Sequence, residues 1–333
     1  MDSDPYRTPA LEPPDGIQSH FLDYYPIKGS QIAAVAVLLG LSTAGVAARS
    51  YTRARILKQF DLSDWALIFF AAFAALKLVA NTYGQGYHQW DVNVVTIQRF
   101  LLFQNVIEIL YCPTLLFAKY TVLRQIEVIF YKHQHKRIAF RVIWGLIWAN
   151  TFFYISIFFT FLLACVPRSK ISDPTIKGHC IDTHASILAT SAINVVSDVT
   201  IFIIPLVAVW ELQLRPKAKI GISIVFAVGI LATAACTVRL YYGVELTRSS
   251  DATWLIEGVG TWAMVEFATV ILVACFPLFP RLYKHLLKRD KNSTIELSDA
   301  YRSGSKKKAS QLSPRTPASH DGDGSSTTEL CQV

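Results

Sequence analysis

Charge is scarce in this chain. Only 17% of its 333 residues are charged, against roughly 25% in a soluble globule, so it cannot coat its own surface. Hydrophobic residues make up 52% and the mean hydropathy is +0.35, leaving apolar surface that must meet lipid. Cysteine is sparse as well, and six in this length exclude a disulfide scaffold. The first 28 residues hold no apolar stretch of the roughly 7 to 15 residues that a cleavable signal needs, so the first helix is expected to insert itself. No HExxH spacing is present, and all eight histidines lie outside the apolar runs or at their rim. A metal hydrolase is therefore not expected, nor any catalytic residue, cofactor or metal. The net charge of +8 is spread in short clusters between apolar runs and makes no single patch, which argues against nucleic acid as a partner.

Long apolar runs are what the chain has. A membrane helix needs about 20 mainly apolar residues. Residues 29–48, 142–167 and 220–238 meet this without charge. Residues 65–84 carry Lys77, 100–118 carry Glu108, 183–210 carry Asp198, and 252–280 carry Glu257 and Glu266. Barrel strands would alternate over about 10 residues, whereas residues 143–161 are apolar on every face. The predicted fold is all-α and polytopic, with seven transmembrane helices and the lipid bilayer as partner. Seventeen Lys and Arg flank the ends after the first, third, fifth and seventh spans, and seven lie on the other side. Basic loops stay in the cytoplasm, so the N-terminus is expected outside and the C-terminus inside.

Residues 1–28, with five prolines, read as a flexible outer tail and 29–280 as the transmembrane domain. Residues 281–291 set Leu282, Leu286 and Leu287 among basic side chains, a pattern that reads as a helix lying on the inner leaflet or, alternatively, as a solvated continuation of the seventh helix. Residues 292–333 are rich in Ser, Gly and charge and read as a disordered cytoplasmic tail, with Ser313-Pro314 and Thr316-Pro317 as candidate phosphate acceptors.

Ionisable groups at membrane depth cost about 2.5 to 3.5 kcal/mol each unless they find partners. Counting residues from the membrane boundary puts Lys77 about 10 Å and Glu108 about 15 Å deep, close enough to pair. Arg239 and Glu257 share a depth near the outer side. Asp198 and Glu266 fall near the midplane with no cation at that level. They read either as packing determinants bonded to Asn194, Ser197 and Ser223, or as a proton, cation or ligand site. Cys165 and Cys180 bracket an outer loop in an oxidising compartment and are expected to form a bridge. Cys112, Cys236 and Cys275 read as packing residues. His88, His179 and His184 read as solvated loop residues, and His133 and His135 as facing water and headgroups.

Taken in order along the spans, short motifs resemble the fungal rhodopsin-domain family of integral membrane proteins over roughly residues 30–290. They are Gly84, Gly86 and His88 after the second span; Glu108, Tyr111, Pro113 and Lys119 in and after the third; Cys165, Gly178 and Cys180 in the outer loop; Asn194, Asp198, Pro205 and Trp210 in the fifth; Arg239 at the sixth; and Trp262, Glu266, Cys275, Pro277 and Pro280 in the seventh. Two departures stand out: the loop segment 170–175, KISDPT, has no tryptophan, and the arginine-proline pair after the last span is reversed as Pro280-Arg281. The resemblance implies a receptor-like protein of G protein-coupled type. It does not imply a pigment, because a retinal Schiff base needs a lysine in the last span and residues 252–280 have none.

Three functions compete. A receptor or sensor would take an extracellular small molecule or peptide, act on a cytoplasmic signalling protein, and sit in the plasma membrane. A proton- or ion-coupled transporter would use the midplane carboxylates, although no internal repeat or glycine-broken helix pair supports it. A structural or accessory membrane protein is the third reading.

Overall fold

In hydrocarbon a backbone must satisfy its own hydrogen bonds, and a run of about twenty apolar residues does so as a helix. The computed structural model describes residues 8–22, 25–52, 63–128, 137–173, 175–211 and 216–276. Seven helices follow in order: α1 Gly29–Thr52, α2 Ser63–Asn81, α3 Val94–Ile126, α4 Arg137–Leu162, α5 Thr183–Glu211, α6 Pro216–Arg248 and α7 Ala252–Cys275. Six are long and apolar enough to cross a membrane, and α2 contributes the shorter apolar stretch Trp65–Asn81. Helices α3 and α6 have 33 residues each, roughly 50 Å at 1.5 Å per residue and well beyond a hydrocarbon core of about 30 Å. Hydropathy therefore marks only their middles. Asn93 caps α3 by accepting from the Thr96 amide at 2.8 Å, and Pro216 opens α6, where its missing N–H costs nothing. Helix α3 runs through Pro113 and α5 through Pro205.

Helix α7 packs against α1, α2, α3 and α6, while α3 also meets α2 and α4, and α5 lies along α6. At the α2–α3–α7 junction Phe267 lies edge-on to Phe70 and Phe73 and beside Tyr111. The large apolar side chains left exposed, such as Ile138, Phe152 and Val196, project outward from α4 and α5 as a lipid-facing surface would require. The chain is a multi-pass membrane protein.

Between α4 and α5 a short hairpin, β1 Cys165–Val166 and β2 His179–Cys180, sets Cys165 opposite Cys180, and a disulfide joins them. The expected bridge is present.

The described part of the N-terminal segment, residues 8–22 and 25–28, makes specific contacts. Val94 donates its amide to Thr8, Ala10 to Val92, and His20 to the Asp91 carboxylate at 3.0 Å. Tyr25 is buried, and its hydroxyl donates to the Asp91 carbonyl at 2.7 Å. That burial also raises the Tyr25 pKa above the ordinary tyrosine value. Backbone pairing with residues 91–94 supplies what the segment's proline-rich composition lacks. Residues 281–333 lie outside the described residues.

The bridge closes 15 residues, so losing it should cost about 3 kcal/mol. We expect Cys165→Ser to lower the Tm of the detergent-solubilised protein, and a reductant to lower the wild-type Tm equally while leaving the variant unchanged. A wild-type Tm indifferent to reductant would contradict the bridge.

Candidate functional site

Depth counting alone lets Lys77 pair with Glu108 and sets Arg239 level with Glu257; the structure gives Lys77 to Glu257 and Arg239 to Glu266 and, among the described residues, leaves Glu108 without a cation. Lys77 of α2 forms its ion pair with Glu257 of α7 and also donates to Gln31 of α1 at 3.3 Å. Thr261 donates to Glu257 at 2.8 Å, and the Asn81 amide, turned with its nitrogen toward Glu257, donates at 3.1 Å. Gly260 leaves the lysine its path, since a Cβ there would meet Lys77 Cε at 2.9 Å.

The turn after α2 locks onto the start of α7. Gly84 and Gly86 adopt φ of +90° and +84°, a region costly for residues with a Cβ. The Gly86 amide donates to Thr253 at 3.0 Å, and the Thr253 hydroxyl donates back to Tyr87 at 2.8 Å. His88, expected to face water, is stacked between Trp90 and Trp254, and its Nδ1 lies 2.6 Å from Asp251 Oδ2. His179 and His184 do not join it in any metal-ligating group among the described residues.

Asp198 and Glu266, expected without a cation at their level, each have one. Lys119 of α3 lies 2.6 Å from Asp198 Oδ1 of α5, and Arg239 of α6 lies 3.2 Å from Glu266 Oε2 of α7. Helix lengths explain both misplacements. Helix α6 continues to Arg248, nine residues beyond Arg239, and α3 continues to Ile126 beyond Lys119. Both cations are thus carried into the bundle.

Asn194 ties the two pairs together. Its Oδ1 accepts from Lys119 at 2.5 Å and from the Tyr154 hydroxyl of α4 at 2.6 Å, and its Nδ2 donates to Glu266 and to Cys236 Sγ. The Arg239 guanidinium lies 4.7 Å from the Tyr111 ring centroid. Five helices, α3 to α7, meet in this network, and Glu266 at its centre is 0% exposed. Asp198, Cys236 and Glu266 bring their ligand atoms within 4.8 Å of one another, but Lys119 and Arg239 already balance both carboxylates. The cluster is an ion-pair network. Ser197, a candidate partner of Asp198, donates to Asn150 instead at 2.7 Å, and the Ser223 side chain lies outside the described residues.

Glu108 is the exception. Among the described residues it is the one carboxylate at membrane depth with no cation, and its side-chain partner is the Gln104 amide at 3.2 Å. It lines a cavity of about 430 Å³ beneath the disulfide hairpin, together with Phe100, Cys165, His184, Leu246 and Ile256. A second cavity of about 40 Å³ shares Gln104, Glu108, Ile187 and Ile256 and ends at Tyr111 and Arg239. The Tyr111 hydroxyl, Arg239 Nε and Nη2 and Gln104 Oε1 have no hydrogen-bond partner, Nε meeting Glu266 as an ion pair only.

Of the remaining motif residues, Pro205 is buried in α5, Trp262 is half-buried on α7 outside the network, and Pro277 lies outside the described residues. Reasoning from the sequence missed Tyr154, Cys236 and Arg49. Tyr154 and Cys236 sit in apolar runs where only helix phase would have turned them inward. Arg49, counted among the basic loop residues, is buried in α1 and donates to the Ala274 carbonyl and to Gln125.

The family description "Fungal rhodopsin domain" matches residues 48–285. A "SAT4 family membrane protein" of Emericella nidulans is 33% identical over 214 residues, 64% of this chain and 54% of the relative. "Fugralins biosynthesis cluster protein 2" of Gibberella zeae is 27% identical over 292 residues, 83% of this chain and 71% of that protein. "Receptor GIN3" of Arthrobotrys oligospora is 28% identical over 141 residues, 41% of this chain and 34% of the receptor. The match thus spans about half the length of the Emericella relative. No solved structure shows a significant match.

Removing one partner of a buried pair strands the other, at about 3 to 5 kcal/mol, whereas a lost neutral hydrogen bond costs about 1 kcal/mol. Lys119→Met should therefore lower the Tm in detergent several times further than Ser197→Ala. Equal shifts would refute the Lys119–Asp198 pair.

Proposed function

The chain belongs to the fungal rhodopsin domain family, and from that premise we propose that it is a receptor-like sensor of a small molecule. One observation carries this reading: the cavity under the disulfide hairpin is lined by α3, α5, α6 and α7, the same helices that hold the buried ion pairs. A ligand acts on a conformational equilibrium only through unequal affinity for its two states. Contacts on Glu108 of α3 or Ile256 of α7 bear on helices whose further contacts run through Lys119 and Glu266. Support also comes from the relative named a receptor.

In this reading the hairpin end faces outside and the basic ends meet a cytoplasmic signalling protein, as the excess of Lys and Arg at those ends favours. The plasma membrane is the location that fits an outer ligand. Lys77, whose ammonium is held by Glu257, serves as a strut between α2 and α7, and the chain acts without chemistry of its own.

The test has two stages. A library of fungal metabolites is screened for compounds that raise the Tm of the purified protein, because a binder of the folded state stabilises it. Each binder is then given to cells expressing the chain and to proteoliposomes. A receptor yields a cellular second-messenger response that Asp198→Asn abolishes, with no accumulation of ligand inside liposomes. Gradient-driven accumulation would replace this reading with a carrier that uses the midplane carboxylates.

A further inference from the structure

Among the described residues, three of the membrane-depth carboxylates are paired with a cation and one is not. Lys77, Lys119 and Arg239 are each committed to one carboxylate, namely Glu257, Asp198 and Glu266. Glu108 is equally buried at 6% exposure, yet it faces two cavities and receives a hydrogen bond from one amide. Beside it Gln104 Oε1 is an acceptor with no donor. Two adjacent acceptors, one of them a carboxylate, form a receptor for a positively charged hydrogen-bond donor. The surroundings fix the rest of the ligand. Phe100, Ile187 and Ile256 give the cavity an apolar part, with Lys170, Asp182 and His184 also on its lining, and about 430 Å³ holds a compact organic body. The deeper space of about 40 Å³ is too small for that body.

We propose that Glu108 is the counter-ion for a small amphipathic amine, whose ammonium sits between the Glu108 carboxylate and Gln104 Oε1 while its apolar part fills the cavity beneath the disulfide hairpin. The proposal rests on the reading of that cavity as a ligand site and names the class of ligand. A charge-assisted bond in a site of low dielectric is stronger than a neutral one, so an amine is preferred over an alcohol of the same shape. A carboxylate is repelled.

The experiment uses the full chain in non-ionic detergent and a panel of primary amines, from short alkylamines to phenethylamine and tryptamine. Each amine is compared with the alcohol and carboxylate of matching shape, up to millimolar concentration. At least one amine should raise the Tm in a saturable way and bind about tenfold or more tighter than its alcohol, with no effect from the carboxylate. Glu108→Gln, which keeps the size of the side chain and its bond to Gln104, should remove the preference for amine over alcohol. Ile256→Trp, which fills the cavity and leaves the carboxylate, should abolish binding of amine and alcohol alike. The proposal is overturned if no amine shifts the Tm, if amine and alcohol bind equally, or if Glu108→Gln binds amines as the wild type does. Amine binding at Glu108 without any cellular response would sink the receptor reading and leave this proposal standing. A cellular response to a ligand without an amine, undiminished in Glu108→Gln, would do the reverse.

Discussion

A charge in hydrocarbon is costly without an opposite charge, and three times in this bundle the opposite charge stands on a different helix. Lys77 joins α2 to α7, Lys119 joins α3 to α5, and Arg239 joins α6 to α7. Apolar faces packed in lipid have little reason to choose one neighbour over another, because lipid tails are as apolar as the helices. The ion pairs supply that choice. Asn194 extends the effect by binding members of both midplane pairs at once, so that α3, α4, α5, α6 and α7 are registered around one amide.

The ends of the bundle are held differently. At the hairpin end, the glycine turn after α2 and the stacked His88 fasten to the start of α7, and the N-terminal segment bonds to residues 91–94. At the other, Arg49 of α1 reaches the last turn of α7 and Gln125 of α3. Helix α7 takes part at both ends, which agrees with its being the most enclosed of the spans. The cavity lies where these constraints leave room: under the disulfide hairpin, between helices fixed at other depths.

Much of this was legible in the sequence. The number of helices, the hairpin bridge and the paired residues other than Lys119, which entered only through the family resemblance, follow from apolar runs, cysteine spacing and the positions of charge. The pairing itself was not. Arg239 looks like an outer-boundary residue when hydropathy ends the sixth span at 238, but α6 carries ten residues past that point, Tyr241 and Glu245 among them, as helix. Lys119 likewise falls one residue beyond a window that ends at 118. A window scores average transfer energy, and a charged residue buried against a partner is scored as though it faced lipid. The contacts of the N-terminal segment were not legible for a related reason: they are bonds to residues 91–94, which composition cannot register.

The central claim is that Glu257, Asp198 and Glu266 are held by cations from other helices, and the Arg239–Glu266 pair is the most enclosed instance. A double-mutant cycle with Arg239→Met, Glu266→Leu and the two together, read by unfolding in mixed micelles, addresses it most directly. Each single change should cost about 3 to 5 kcal/mol by stranding a buried charge, and the double change should recover most of that loss. Additive effects, agreeing within about 0.5 kcal/mol, would mean that the two side chains do not interact and would contradict the account.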